Sequence, residues 1–232
     1  MKGRIKMNNQ KKNLLWTGLI LLAAFVLWTV LIRTVDVQPA GPEGSLVGFA
    51  VFNTWFHELT GVNMTLYTIT DWLGIVPILV CLCFGALGLY QLIRRKSLLK
   101  VDADILLLGA YYILVIFCYI FFEMVPINYR PVLIEGMLEA SYPSSTTLLV
   151  LSVMPTLKFQ ADRRSDSPLF RRAVTVFVIA FSAFMVLGRV IAGVHWATDI
   201  LGAVLLSSGL FILYMYAVRR ADECKAGHQQ GA

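Results

Sequence analysis

ILLLGAYYILVIFCYIFFEM, residues 105–124, carries a single charged residue, Glu123, next to its end. About 20 helical residues cross the roughly 30 Å hydrocarbon core of a bilayer, so this stretch reads as a membrane-spanning helix. Five further apolar blocks flank it: Leu14–Ile32 and Trp72–Ile93 before it, and Ser145–Leu157, Ala173–Val190 and Trp196–Val218 after it. The chain is 58% hydrophobic and 15% charged, against about 25% charge in ordinary soluble domains. The fold expected is therefore all-α, a polytopic membrane helical bundle of about six transmembrane helices. Block four is the weakest. It is short, opens Ser-Ser-Thr-Thr and contains Pro155, so its first turn must sit in protein or water and not in lipid.

Basic residues give the spans a direction. Lys2, Arg4, Lys6, Lys11 and Lys12 precede block one; Arg94, Arg95, Lys96 and Lys100 follow block two. Lys158, Arg163, Arg164, Arg171 and Arg172 follow block four, and Arg219, Arg220 and Lys225 follow block six. Thus 17 of the 20 lysines and arginines fall on one face, leaving Arg33, Arg130 and Arg189 for the other. The rich face is expected to be cytoplasmic, which makes the protein multi-pass with both termini inside. The net charge of +6 then serves topology and contacts with anionic membrane lipids, and calls for no nucleic acid. The organisation expected is a cytoplasmic basic N-terminus (1–13), a six-span domain (14–218) and a cytoplasmic tail (219–232). Block one is too long for a cleaved signal and lacks a small-residue cleavage site, so it reads as a retained helix. Cys81, Cys83 and Cys118 lie in spans and Cys224 in the tail. None is on the outer face where a disulfide would persist, and no zinc spacing occurs.

The long connection, 34–71, faces outward. It opens with turn residues Pro39, Gly41 and Pro42. Leu46, Phe49, Phe52, Trp55, Phe56 and Leu59 then recur at three- and four-residue steps, the pattern of an amphipathic interfacial helix. Such a helix would cap an external site or lie on the lipid beside it. His57, alone on this stretch, reads as structural.

The polar residues near the outer span ends are unusual: Glu123, Arg130-Pro131, Pro143 to Thr147, Arg189, His195 and Asp199. Arg130 and Arg189 run against the charge trend, so that face needs positive charge. His195 and Asp199 are four apart where a helix begins and so would share a face. A carboxylate accepting from one imidazole nitrogen would leave the other as base or nucleophile. Two guanidiniums suit an anion bidentately. Ser144 to Thr147 follow a proline and read as a helix N-terminus, where amides and dipole favour phosphate; an N-cap without function is the plainer reading of Ser144 alone.

Together these residues resemble the type-2 phosphatidic acid phosphatase family, in a superfamily with the vanadium haloperoxidases, whose ordered motifs are K-x6-R-P, P-S-G-H and S-R-x5-H-x3-D. Arg130-Pro131 matches the end of the first and Pro143-Ser144 the start of the second. Gly188-Arg189 through His195 to Asp199 matches the third apart from its leading serine. The resemblance covers roughly Ile105 to Val218. It implies that His195 forms a phosphohistidine with Asp199 as its orienting partner. Arg130, Arg189, Ser144 and the amides of Ser145 and Thr146 would hold the phosphoryl group, with no metal or cofactor.

Two motif positions depart. The lysine of the first motif falls on Glu123 and the histidine of the second, the general acid, on Thr146. General acid catalysis contributes about 10²–10⁴-fold, and an alkoxide leaving group feels that loss most. A phosphate leaving from a diphosphate is already a stable anion. The expectation is therefore a lipid diphosphatase or phosphatase at the outer face of the plasma membrane, favouring polyprenyl diphosphate over phosphatidate. Glu123 is the candidate substitute acid, or alternatively the ion-pair partner of Arg130 or Arg189. The competing function is a catalytically impaired relative that acts as a lipid-phosphate binding or accessory membrane protein. A transporter is disfavoured because the chain has no paired broken helices.

Overall fold

The structure, a computed structural model, describes residues 2–230, with side chains described for residues 11–225. Lys2, Arg4 and Lys6 of the basic N-terminus, and the tail beyond residue 225, lie outside the described side chains. Eight α-helices follow in order: α1 (Lys2–Thr34), α2 (Ala50–Thr60), α3 (Met64–Leu73), α4 (Ile75–Arg95), α5 (Ala103–Met124), α6 (Ser145–Arg164), α7 (Pro168–Ile191) and α8 (Ala197–Gln230). Among the described residues there are only isolated β-bridges and no strand. The all-helical membrane bundle expected from the sequence is present. Five segments are long and apolar enough to span: α1, α3 with α4, α5, α7 and α8.

Helix α6 is the exception, and its position explains its composition. At one end the Ser144 amide donates to the Asp199 carbonyl of α8 (3.2 Å). At the other, Arg163 makes two hydrogen bonds to Asp222 of α8 (2.9 and 3.0 Å). A 20-residue helix is roughly 30 Å long, so α6 crosses the bundle beside α8. It buries Thr147, Ser152, Thr156 and Gln160, residues that protein tolerates and lipid does not. It also runs to Arg164, beyond the expected end at Leu157. Its polar last turns carry no hydropathy signal, yet they are tied down: Gln160 donates to the Tyr214 hydroxyl (2.8 Å) and Arg164 to Asp104 (2.8 Å). Helix association in lipid rests on close packing and interhelical hydrogen bonds. Tyr111 donating to the Ser152 carbonyl (3.0 Å) and Tyr112 bonded to Thr156 (2.6 Å) supply the latter between α5 and α6.

Helix α1 lies along α8, where Gly18 and Gly209 face each other. A Cβ on Gly18 would stand 3.3 Å from the Gly209 carbonyl oxygen and 2.7 Å from Leu213, so the absence of side chains is what lets the backbones approach. Phe25, Leu108, Val115, Leu148, Val153 and Leu206 form the buried centre. The outer faces of α1, α5 and α7 carry exposed Ile20, Ile113, Phe117 and Ile179, a surface suited to lipid.

The amphipathic helix expected in the long connection is α2. Val51, Phe52, Trp55 and Leu59 are exposed, while Asn53 is fully buried. Asn53 donates to the Gly48 carbonyl (2.8 Å) and to Thr198 at the start of α8 (2.9 Å), which anchors α2 beside the site. His57 packs edge-on against Trp196, centroids 5.6 Å apart, and burial lowers its pKa. Both fit a structural residue. The second apolar block is bent: α3 ends at Leu73 and α4 begins at Ile75, with the Gly74 amide bonded to the Asp71 carbonyl (3.0 Å).

Candidate active site

Two connections at one end of the bundle bring the polar residues together. Between α5 and α6 the chain doubles back, with bridges Tyr129–Ala140 and Ile134–Met137. Glu135 and Gly136 have positive φ (51° and 78°) at its tip, as a tight hairpin turn needs. This ladder sets Arg130 opposite Glu139 (N to O 3.1 Å) and Asn128 opposite Ser141 (O to N 2.9 Å). The second connection, between α7 and α8, carries His195. Gly193 has φ +64°, and a Cβ there would lie 1.8 Å from the Gly61 carbonyl oxygen. Only glycine fits such a turn.

His195 precedes α8 and is not inside it. Asp199, third residue of the helix, reaches back to the Trp196 amide (Oδ2, 3.1 Å), the acidic half of a capping box. The direct Asp199–His195 bond expected from their spacing is therefore replaced. Ser141 stands between them, its hydroxyl donating to Asp199 Oδ2 (2.5 Å) and lying 3.0 Å from His195 Nδ1. Nδ1 also meets the Ser141 carbonyl at 3.1 Å, so the proton is assigned to Nδ1 and the lone pair to Nε2. Asn128 donates to the other Asp199 oxygen (3.2 Å). His195 is buried and its Nε2 has no hydrogen-bond partner among the described residues. Burial first, and then the charges of Arg130 and Arg189, hold its pKa well below 6.5, against the opposing pull of the Ser141 carbonyl. Both causes favour the neutral ring, the form a nucleophile needs.

Both arginines are buried, and both stack on Tyr67 of α3, with guanidinium carbons 5.8 Å (Arg130) and 4.8 Å (Arg189) from the ring centre. Arg189 donates to Asp71 (2.9 Å) and to the Thr146 hydroxyl. Arg130 Nε lies 3.1 Å from Glu139. That contact is an ion pair without hydrogen-bond alignment; among the described residues Nε and Nη1 of Arg130 and Nε of Arg189 have no hydrogen-bond partner. These groups open on a cavity of about 740 Å³ walled also by Asp71, Glu123, Ser145 and Thr146.

Residues 78–223 match the model of the PAP2 superfamily. The chain belongs to the PAP2 superfamily. Its fold is similar to the crystal structure of the first transmembrane PAP2-type phosphatidylglycerolphosphate phosphatase from Bacillus subtilis. That likeness has a TM-score of 0.56 at 17% identity, covering 86% of this chain and 94% of that one. No curated protein matches the sequence. The family-matched region contains Arg130, Ser144, Arg189, His195 and Asp199, whereas Tyr67 and Asp71 precede it.

In this PAP2-superfamily chain the expected residues fall in two groups. Arg130, Arg189, Ser145, Thr146 and Glu123 line the cavity; His195, Asp199 and Ser144 are buried beyond its walls, at the same end. Ser144 turns its hydroxyl to Thr147 (3.1 Å), as a residue at a helix start with a structural role would. The expected pairing of Glu123 with Arg130 or Arg189 does not form, because Glu139 and Asp71 take those places. Thr146 accepts a hydrogen bond from Arg189 and has no acidic proton to give. Asp71, Tyr67, Glu139, Ser141 and Asn128 escaped the sequence reading. Asp71 alone left a signal, as a lone charge entering an apolar span.

Proposed function

We propose that this protein is a lipid phosphate hydrolase working through a phosphohistidine. The observation that carries this reading is His195: buried, committed at Nδ1 to Ser141 and without a hydrogen-bond partner at Nε2 among the described residues, in surroundings that favour the neutral ring. In the reaction Nε2 bonds to phosphorus as the bond to the leaving oxygen breaks. Water then displaces the phosphoryl group from Nε2 and phosphate departs. Arg130 and Arg189 hold the phosphoryl oxygens, and their free nitrogens provide the donors that transition-state charge requires. Asp199 acts on His195 through Ser141 and stabilises the positive charge the ring acquires. The first-turn amides of α6 at Ser145 and Thr146 assist.

With Thr146 in the acid's place, groups that leave as stable anions react best, so a polyprenyl diphosphate is preferred to phosphatidate. Glu123, which lines the cavity without an ion-pair partner among the described residues, is the substitute acid. The reading of the cavity as facing outward from the plasma membrane draws support from the basic residues that gather at the opposite end of the bundle.

Phosphate release from lipid mono- and diphosphates by wild type and His195→Ala tests this. Release lost in the variant is the expected result, and equal release from both contradicts it. The second reading, a lipid-phosphate binding protein without turnover, draws on the carboxylates that already occupy both arginines. It predicts binding with no release from any lipid.

A further inference from the structure

A second cavity, of about 530 Å³, lies between α4 and α5 at the basic end of the bundle and shares no lining residue with the active-site cavity. Its walls run from Phe84 to Leu92 on α4 and from Ile105 to Ile113 on α5, and include Leu98 of the connection between them. No charged residue lines it, and the Tyr112 hydroxyl on its wall is bonded to Thr156. Eight helical residues rise about 12 Å, close to one leaflet's share of the roughly 30 Å hydrocarbon core. A Cβ on Gly85 or Gly109 would meet nothing within 4 Å, so there is open space on both walls. Leu89 and Ile113, which also line the cavity, are exposed, so it opens sideways to the bilayer. A hollow open to lipid takes in hydrocarbon, because its walls otherwise forgo their dispersion contacts.

The mouth selects among lipids. In the connection, Leu98 and Leu99 are 59% and 93% exposed and stand between Lys96 and Lys100, which are exposed too. Leucines framed by lysines suit the boundary between acyl chains and headgroups, where apolar side chains enter the membrane and ammoniums stay in water. Lys96 and Lys100 have no ion-pair partner among the described residues. The acid nearest them in sequence, Asp102, is already held by Arg95, Arg164 and Gln91. We propose that the α4–α5 cavity takes an acyl chain of an anionic phospholipid from the leaflet at the basic end, with the lipid phosphate on Lys96 and Lys100. A zwitterionic lipid would bring its own cation beside the lysines. A second copy of the chain would do worse, since residues 94–100 hold four basic residues and no acid, and two such segments repel.

The test uses phosphatidylmethanol with a photoreactive group at the end of one chain, a singly charged diester with no monoester phosphate for His195 to attack. Detergent-purified full-length protein is irradiated with it and peptide-mapped, with unlabelled phosphatidylmethanol or phosphatidylcholine as competitor. Label is expected on peptides from residues 84–113. Phosphatidylmethanol should displace it about 25-fold better than phosphatidylcholine, about fivefold for each lysine near the headgroups. The two competitors should become equal in Lys96→Gln/Lys100→Gln, whose changes are on the surface. Gly109→Leu, which fills the cavity, should remove the label, and Gly85→Leu does the same from the other wall should Gly109→Leu not fold. Equal displacement by both lipids in wild type, label undiminished in the filled variants, or label on the active-site cavity or spread over α1 and α7 overturns the inference. So does a wild-type dimer that takes no label and becomes a monomer in Gly109→Leu, which would give the cavity to a second copy.

Discussion

The two ends of the bundle use the same chemistry, arginine against carboxylate, to different effect. At the end opposite the cavity, Arg163 grips Asp222 with two hydrogen bonds (2.9 and 3.0 Å), and Arg164 reaches both Asp104 (2.8 Å) and Asp102 (3.2 Å). Arg95 and Gln91 also hold Asp102. The side chains of Arg163 and Arg164 are about one-third exposed and share their carboxylates in a clamp that ties α5, α6 and α8. At the cavity end the side chains of Arg130 and Arg189 are 7% and 1% exposed; each meets one carboxylate, and among the described residues Nε and Nη1 of Arg130 and Nε of Arg189 lack a hydrogen-bond partner. A saturated network holds helices together. An undersaturated buried one holds a place for something else, since a buried cation without its full set of acceptors is costly.

Four variations break or sharpen this contrast. Arg189→Lys keeps the charge but loses the forked donors, so kcat/KM for phosphate release should fall by about 10²–10³-fold; a loss under threefold would make the cavity end no different from the clamp. Ser141→Ala removes the hydroxyl joining Asp199 to His195. A drop in kcat of about 10–100-fold with little change in KM is expected, as for other residues that orient a reacting group. The third is pH. Because the folded pKa of His195 lies below its ordinary 6.5, the unfolded chain binds the extra proton first. The stability that His195 contributes is full above pH 6.5 and declines as pH falls through the folded value. The acid limb of kcat/KM should correspondingly lie below pH 6.5, and a limb at or above that value would mean the ring is not buried neutral. The smallest effect belongs to the clamp: Arg163→Ala should lower Tm by about 2–4 °C and leave kcat unchanged.

How far these ends were legible in the sequence follows from what each residue's signal depends on. Five spanning segments declare themselves by uninterrupted apolar length, and α2 by its aromatic steps, because lipid reads hydropathy locally. Helix α6 was legible only as a weak span, since its surroundings are protein and its last two turns are polar. Arg130, Arg189, His195 and Asp199 stood out as charges at span ends with family spacing. The route from Asp199 to His195 through Ser141 did not, because the hairpin that delivers Ser141 and Asn128 pairs residues with no sequence period between them. The Glu139 and Asp71 partners were hidden for the same reason: they come from a separate loop and from α3, and only the folded chain sets them against the arginines.

The central claim is that His195 Nε2 takes the phosphoryl group. Rapid quenching of wild type and His195→Ala during turnover of radiolabelled polyprenyl diphosphate, followed by peptide mapping, tests it directly. The account predicts an acid-labile, base-stable label on the peptide carrying His195 that is absent from the variant. Phosphate release with no label at His195, undiminished in His195→Ala, would contradict it.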